Sequence, residues 1–223
     1  MIKSKCTSQF HWLGLQKYTV LDDQQKKLVP EILGRPVAIV FGAEFFPVLT
    51  LGVRAKSVED LFFSDSELTH LGLEVVKTDR GGQATIHSPG QLVIYPMLDL
   101  KVFDLGIRDF VCRLMKITIK TLRELGIEAS YFSEDPGIYT AHGKIGFCGL
   151  KSDHGVMRHG LAINIKNDLS LFQGIRSCGH TQPRLDQVSR YHPIETAQFF
   201  QKWTYHFEND FYLSVPNSIG MDS

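Results

Sequence analysis

The chain has 223 residues, 43% hydrophobic and 22% charged, which is ordinary for a globular protein long enough to bury a core. Lysine plus arginine equals aspartate plus glutamate, at 24 each, so the net charge argues against nonspecific binding to nucleic acid. No apolar run approaches the roughly 18 residues that span a bilayer, and residues 1–12 lack the apolar segment of a secretory signal. We therefore expect a cytoplasmic protein with neither a nucleic acid nor a membrane as a partner.

The first part of the chain predicts a strand, a helix and a strand. A short apolar piece at residues 10–13 precedes an amphipathic helix over residues 15–28, which Pro30 is expected to end. Residues 37–41 form a compact apolar run, typical of a buried strand. Further on, Ser57 stands three residues before an aspartate, a spacing that predicts the capped start of a short helix.

The rest of the chain predicts strands in groups, with helices between and after them. The clearest helix covers residues 106–125, where apolar side chains fall on one face and Gly126 can close the helix with a left-handed cap. The other predicted elements are strands at 73–76, 91–98, 137–140, 144–150 and 161–165 and a final aromatic-rich helix at 195–211. This order predicts an α+β fold, with a mixed β-sheet and flanking helices. We expect one domain over residues 1–215 and a flexible tail over residues 216–223.

A glycine-rich connection, RGGQATIHSPGQ, joins two of the predicted strands at residues 80–91. Gly81 and Gly82 allow positive φ and a close approach of the backbone to a ligand. Two interpretations stay open. The segment is either a hairpin with polar turn residues, or a cradle for a ligand with Arg80 and His87 at its mouth. It contains neither of the glycine motifs that bind nucleotide phosphates.

The four cysteines, Cys6, Cys112, Cys148 and Cys178, form no CxxC pair, so we expect reduced thiols. A thiol has a pKa near ~8.5 and needs a nearby cation or base to become a nucleophile. Lys144 is a candidate cation. Even spacing predicts that Cys148 shares its strand face, but at roughly 13 Å, too far for direct proton transfer. Cys178 lies in a predicted loop, and a buried, inert thiol is the alternative for both cysteines.

Several histidines lie near these cysteines in the sequence: His142, His154, His159 and His180. Zinc takes such ligands, but neither HExxH nor CxxC is present. We therefore expect no metal and no cofactor, and we interpret His159 as a hydrogen-bonded residue in the wall of a site.

Four sequence blocks resemble signature motifs of the lipoyl(octanoyl) transferases, also called octanoyl-[acyl-carrier-protein]–protein N-octanoyltransferases. The blocks are RGGQATIHSPGQLVIYPMLDL, PGIYTAHGKIGFCGL, HGLAINI and IRSCGH, and they follow the family's order within residues 10–190. The resemblance implies a fold related to the catalytic domains of biotin and lipoate ligases. It also implies that Cys178 forms an acyl thioester and that Lys144 lowers the pKa of that cysteine. The implied substrate contacts are Arg80, Gly81, Gly82, Gln83, Ala84, Thr85, Ile86, His87, Phe147, Cys148, Gly149, Gly160, Leu161 and Ala162.

The resemblance implies that an octanoyl group passes from octanoyl-acyl carrier protein to a lysine of apo-lipoyl domains. The implied acceptors are 2-oxoacid dehydrogenases and the glycine cleavage H protein. Four alternatives remain: an ATP-dependent lipoate-protein ligase, an octanoyl amidotransferase acting between carrier domains, a cysteine hydrolase, and a noncatalytic acyl- or metal-binding module.

The chain departs from the family pattern at a few positions. Phe45 stands where the family usually has histidine, and Phe147 where it has a small polar residue, so both are expected to reshape the acyl pocket or its rim. Ser88 and Ser177 replace a glycine and a proline. Five basic residues flank Lys144 and Cys178 in the sequence: Lys151, Arg158, Arg176, Arg184 and Arg190. They are expected to form either a docking surface for an acidic carrier protein or merely scattered solvated surface.

Overall fold

The computed structural model describes residues 7–56, 60–132, 136–176 and 184–212. The strands are β1 (Thr7–Gln16), β2 (Val37–Phe45), β3 (Val48–Leu51), β4 (Glu74–Lys77), β5 (Ala84–His87), β6 (Gln91–Met97), β7 (Ser130–Phe132), β8 (Gly137–Thr140), β9 (Gly143–Asp153) and β10 (Val156–Asn164). The α-helices are α1 (Tyr18–Ile32), α2 (Asp65–His70), α3 (Ile107–Glu124) and α4 (Thr196–Tyr212), and two short 3₁₀ helices cover Leu169–Gly174 and Val188–Arg190.

Two sheets organise the molecule. The main sheet has seven strands in the order β1-β2-β6-β10-β9-β8-β7, and the second has three in the order β4-β3-β5. The pairs β1–β2 and β3–β4 are parallel, while the other pairs are antiparallel. The prediction of a mixed sheet with flanking helices is therefore confirmed.

Apolar side chains fill both faces of the main sheet. On one face, the sheet packs against α3 and α4 through residues such as Phe110, Leu114 and Trp203. On the other face, a second core includes Leu21 of α1 and Leu49 of β3, so α1 and the small sheet cover that side. None of the described helices is long and apolar enough to cross a membrane.

The N-terminal elements differ from the prediction at their boundaries. Leu15 and Gln16 belong to strand β1, and the helix begins at Tyr18 rather than at Leu15. The helix also continues through Pro30 to Ile32. Proline interrupts the backbone hydrogen bonding of a helix. Here, however, Ile32 is fully buried beyond the proline, so burial of the last turn offsets that cost.

Of the other predicted helix boundaries, one is confirmed and one cannot be compared with the structure. Gly126 adopts a φ of 74° after α3, which confirms the left-handed cap. The helix start predicted at Ser57 lies outside the described residues, and helix α2 begins after Ser64, whose side chain and that of Glu67 form a capping box. Trp203 of α4 donates a hydrogen bond of 2.8 Å to Thr118 of α3, which ties the two C-terminal helices together.

The glycine-rich connection is not a hairpin between the strands on either side of it. β4 lies in the small sheet and β6 in the main sheet, and residues 84–87 form a strand of their own, β5, paired with β3. The connection therefore runs from one sheet to the other, which brings its glycines to the gap between them.

Candidate active site

A cleft opens where β5, β6, β9 and β10 meet. All of the residues that the family resemblance implied as substrate contacts line it, except Gly81 and Ile86. Gly81 lies on a neighbouring pocket, and Ile86 is fully buried in the core. Four further lining residues were not predicted as contacts: Val93, Tyr95, Pro136 and His159. The strand β6 is buried at every position, so its sequence carries no alternation that would have singled out Val93 and Tyr95.

The side chain of Arg80 holds the glycine-rich loop in shape. Its guanidinium donates hydrogen bonds of 2.8 Å to the carbonyl of Thr50, 2.8 Å to that of Gln83 and 3.0 Å to that of Gly81. The arginine is 7% exposed, so these bonds are largely shielded from water. Arg80 therefore fixes the backbone of the cleft wall.

Two glycines let neighbouring backbones approach each other beside the cleft. A Cβ at Gly149 would lie 2.9 Å from the carbonyl oxygen of Gly81. A Cβ at Gly160 would lie 2.8 Å from Cδ of Pro96, and still closer to the carbonyl oxygen of Ile94. Because backbone atoms cannot move aside cheaply, any side chain at either position would disturb the cleft.

His87 is a neutral imidazole with a defined tautomer. Burial lowers the pKa of His87 to about 4, and the nearby charge of Arg80 adds to that effect. Its Nδ1 lies 2.6 Å from Oε1 of Gln91, while Nε2 of Gln91 donates to Oδ1 of Asn164 at 3.0 Å. Since Gln91 must accept at Oε1, His87 donates from Nδ1 and keeps Nε2 as a proton acceptor.

The polar chain behind His87 continues to the strand that carries Lys144. Nδ2 of Asn164 donates to the carbonyl of Asp186 at 3.1 Å. The N–H of Asp186 donates to the carbonyl of Lys144 at 3.0 Å, and the N–H of Lys144 donates to the carbonyl of Arg184 at 2.8 Å. The backbone carbonyl of Asp186 can only accept a hydrogen bond, so the end of the Asn164 side chain that faces it must be the NH₂ group. This fixes the orientation of the Asn164 amide and, through it, that of the Gln91 amide.

Lys144 is buried, with 3% of its surface exposed. Its Nζ lies 5.2 Å from the ring centre of Tyr139 and 5.3 Å from that of Phe147, which is cation–π geometry. The stem crosses Gly137, where a Cβ would lie 2.9 Å from Nζ and closer still to Cε. The ammonium therefore occupies space that only a glycine at position 137 leaves open.

The prediction that Lys144 and Cys148 share one face of the strand is wrong. The register between β8 and β9 shifts between Ile138 and Tyr139, where Ile138 pairs with Gly146 but Tyr139 pairs with Lys144. The extra residue is a β-bulge, which inverts the alternation. Lys144 therefore lies on the side of Phe147, whereas Cys148 packs against the core formed with α3 and α4.

Cys148 is poorly suited to act as a nucleophile. Burial raises the pKa of its thiol to about 12, although the charge of Lys144 opposes this effect. The raised pKa favours the alternative of an inert thiol, although Cys148 is only half-buried and lines the cleft. Cys178, Cys6 and His180 lie outside the described residues.

A charged cluster stands behind His159, which adopts a φ of 58°. Its Nε2 donates to Oδ1 of Asp79 at 2.9 Å, and Asp22 lies nearby. Burial lowers the pKa of His159. Partial burial opposes ionisation of Asp79, but the hydrogen bond from His159 and the charge of Arg158 lower the pKa of that carboxyl overall. The prediction of His159 as a hydrogen-bonded wall residue is confirmed.

This cluster is also the group of potential metal ligands found among the described residues. One ligand atom from each of Asp22, Asp79 and His159 lies within 4.8 Å of the others. The guanidinium of Arg158 makes ion pairs with both carboxylates, and Lys26 pairs with Asp22 at 2.7 Å, so both negative charges already have cationic partners.

The basic residues expected to form a docking surface do not all reach the surface. Arg158 is 2% exposed and belongs to the cluster just described, so its assignment to a docking surface is wrong. Arg190 is half exposed and pairs with the buried carboxylate of Asp186 at 2.9 Å.

The two phenylalanines that depart from the family pattern have different positions. Phe147 lines the cleft and stacks on Phe172, with ring centres 5.4 Å apart. Phe45 is fully buried and packs edge-on against His87, with ring centres 5.7 Å apart. Phe45 is thus a support for the wall and is not among the residues that line the cleft.

Comparison with known proteins identifies the class. The sequence matches the family described as lipoyl protein ligase A/B catalytic domain over residues 22–208. It is 34% identical over 202 residues to the octanoyltransferase of Legionella pneumophila (strain Lens), covering 90% of this chain and 98% of that protein. The chain therefore belongs to the lipoyl protein ligase A/B catalytic-domain family. Within it, the chain is a transferase enzyme, with proteins named octanoyltransferase among its relatives.

Solved structures share the fold at much lower sequence identity. A crystal structure of lipoate-protein ligase A bound with ATP matches with a TM-score of 0.79 at 14% identity, covering 91% of this chain and 85% of that one. Biotin protein ligase from Aquifex aeolicus, in complex with biotin and ATP, matches with a TM-score of 0.55 at 12% identity, covering 94% and 73%. The expected relation to the catalytic domains of lipoate and biotin ligases is confirmed.

Proposed function

We propose that this enzyme transfers an octanoyl group from octanoyl-acyl carrier protein to a lysine of apo-lipoyl domains, through an acyl thioester on Cys178. The observation that carries this proposal is the buried ammonium of Lys144, held between two aromatic rings beside a cleft lined with apolar residues and glycines. A fixed cation in a water-poor site stabilises a thiolate and can pass its proton to a leaving group.

The ends of the segment that contains Cys178 support this pairing. Arg184, six residues after the cysteine, accepts a hydrogen bond from the N–H of Lys144. Phe172, in the 3₁₀ helix that precedes the segment, stacks on Phe147 of the cleft wall. Six residues of extended chain reach at most about 22 Å, so the chain from Arg184 back to Cys178 is long enough to bring the thiol to Lys144.

The transfer would proceed in two balanced steps. The neutral amine form of Lys144 takes the proton of the Cys178 thiol and becomes the ammonium that pairs with the thiolate. The thiolate then attacks the thioester carbon of the donor. A bond forms from that carbon to Sγ, the bond to the donor sulfur breaks, and the donor thiol leaves with the proton from Lys144. In the second step, the amine of the acceptor lysine attacks the acyl-enzyme, the C–Sγ bond breaks, and Lys144 moves the amine proton to the cysteine.

The acceptors we propose are the lipoyl domains of 2-oxoacid dehydrogenases and the glycine cleavage H protein. An eight-carbon chain gains about 0.8 kcal/mol for each buried CH₂, which favours it in an apolar cleft. The thioester already activates the acyl group, so the proposed reaction consumes no ATP.

Intact-mass spectrometry after incubation with octanoyl-acyl carrier protein tests the proposal. We expect an octanoyl adduct that Cys178→Ser abolishes, and a transfer rate that Lys144→Ala strongly reduces. An adduct that persists in Cys178→Ser contradicts the assignment of the nucleophile. Pyrophosphate release with free octanoate and ATP would instead show ligase chemistry.

A further inference from the structure

A second pocket adjoins the cleft, on the side of the main sheet that faces α3. It has a volume of about 340 Å³, and its walls include Arg54 and Arg108 together with Val111, Tyr131 and Leu150. Arg54 follows β3, and its N–H donates to the carbonyl of Gly82 at 3.0 Å, so its loop is tied to the glycine-rich connection. Arg108 lies in the first turn of α3.

The pocket and the cleft meet along the edge of β9 that faces β8, beyond the point where these two strands stop pairing. They share four lining residues: Gly82, Pro136, Cys148 and Gly149. On this edge, β8 pairs with β9 only as far as Phe147, and the N–H of Gly81 bonds to the carbonyl of Leu150 three residues further on. Within the described chain, no strand covers the edge between these two points.

The junction also lies beside the proposed reaction centre. Pro136 precedes Gly137, and the stem of Lys144 crosses Gly137. A substrate whose reacting carbonyl sits at Lys144 would therefore have two directions available: into the apolar cleft, or past Pro136 into the second pocket.

The charges of the second pocket select for an anion. Arg54 and Arg108 are both exposed, and within the described ranges neither forms an ion pair with a carboxylate. A cation in the first turn of a helix is opposed by the helix dipole, so the stability of the fold does not account for Arg108. Guanidinium groups bind phosphate oxygens through charge-assisted, often paired, hydrogen bonds.

We propose that this second pocket is the subsite for the phosphodiester of the donor's phosphopantetheine arm, bound by Arg54 and Arg108. The inference rests on the proposed octanoyl transfer. The octanoyl chain lies in the cleft, the thioester carbon lies beside Lys144, and the arm passes the gap between Gly82 and Pro136. Its phosphate then meets the two arginines.

Two minimal donors that differ only in the phosphate test this subsite: octanoyl-4′-phosphopantetheine and octanoyl-pantetheine. We expect the wild-type chain to acylate itself from the phosphorylated donor with a second-order rate constant roughly tenfold or more above that for octanoyl-pantetheine. Each charge-assisted hydrogen bond to the phosphate contributes on that order. Arg54→Gln and Arg108→Gln should remove most of this preference without slowing the reaction with octanoyl-pantetheine. Arg123→Gln, on the same helix but paired with Glu128, is the matched control and should keep the preference.

Binding of unacylated 4′-phosphopantetheine and of pantetheine, measured by calorimetry, separates this inference from the proposed function. Preferential binding of the phosphorylated compound that both variants lose supports the subsite even if no transfer occurs. Equal binding of the two compounds overturns it, even if octanoyl transfer is normal. Variants that slow transfer only from the intact carrier protein also overturn it, since the arginines would then contact the protein surface. Self-acylation from none of the donors would instead contradict the proposed function.

Discussion

The position of the Lys144 ammonium depends on the absence of a side chain at Gly137, and Gly137→Ala tests this dependence. A methyl group there would lie 2.9 Å from Nζ and nearer still to Cε, whereas ordinary carbon contacts are about 3.5–4.0 Å. The lysine must therefore move by about 1 Å, a displacement that can lower the rate of a catalysed step by about 10²-fold.

The same methyl group would also lie 2.9 Å from the carbonyl oxygen of Gly146. We expect this contact to destabilise the fold by about 1–3 kcal/mol, which chemical denaturation would measure. Gly137 does not require positive φ, so the backbone itself accepts alanine. The variant is therefore expected to fold, with a loss of rate out of proportion to its loss of stability.

Single-turnover transfer from octanoyl-acyl carrier protein is the assay for this prediction. Gly146→Ala is the matched control, because its added methyl group would meet Ile163 and Ile138 rather than Lys144. A double-mutant cycle sharpens the test: in a Lys144→Ala background, Gly137→Ala should cost no further rate. A folded Gly137→Ala protein with the wild-type rate would refute the reasoning.

Three further predictions concern single residues of the cleft. At pH 7, a thiol with a pKa of about 12 is ionised in roughly one molecule in 10⁵. The Cys148 peptide should therefore resist iodoacetamide in native protein and react after denaturation, and rapid native labelling would contradict the raised pKa. The pKa of His87 is lowered to about 4, so the unfolded chain binds more protons, and stability should fall as pH drops from about 6.5 to 4; urea titrations should show a smaller fall, by as much as a few kcal/mol, in His87→Gln, and an equal fall would exclude the buried neutral imidazole. Gly160→Ala should destabilise the fold by about 1–3 kcal/mol and impair acylation, because its methyl group would press on the backbone at Ile94; unchanged denaturation midpoints would show that β6 and β10 can separate at no cost.

Much of the architecture could be predicted because it depends on local periodicity. The face of α3 is apolar over its whole length, and Gly126 marks its end, so both were visible without knowledge of any partner. The glycines at 149 and 160 could be connected with the cleft only through the family resemblance, since the close backbone approach that requires them involves residues distant in sequence.

The features that sequence patterns did not predict depend on contacts between residues distant in the chain. The bulge opposite Tyr139 turns Lys144 to the face of Phe147, and no local pattern in β9 signals that extra residue. The tautomer of His87 is likewise set by amides that lie 4 and 77 positions further along the chain. Arg158 is buried because it pairs with two aspartates from other segments of the chain. These partners cannot be read from the sequence around Arg158, which is why the prediction assigned it to the surface.

The stretch 177–183 is flanked by two independent backbone attachments. Arg176 donates from its N–H to the carbonyl of Asp60 at 2.9 Å, and Arg184 accepts from Lys144 at 2.8 Å. Described contacts therefore anchor the chain on both sides of this stretch. An engineer could graft segments of other lengths between these two attachment points, each keeping Cys178, and screen such a library for altered acyl selectivity, while the sheets and helices remain intact.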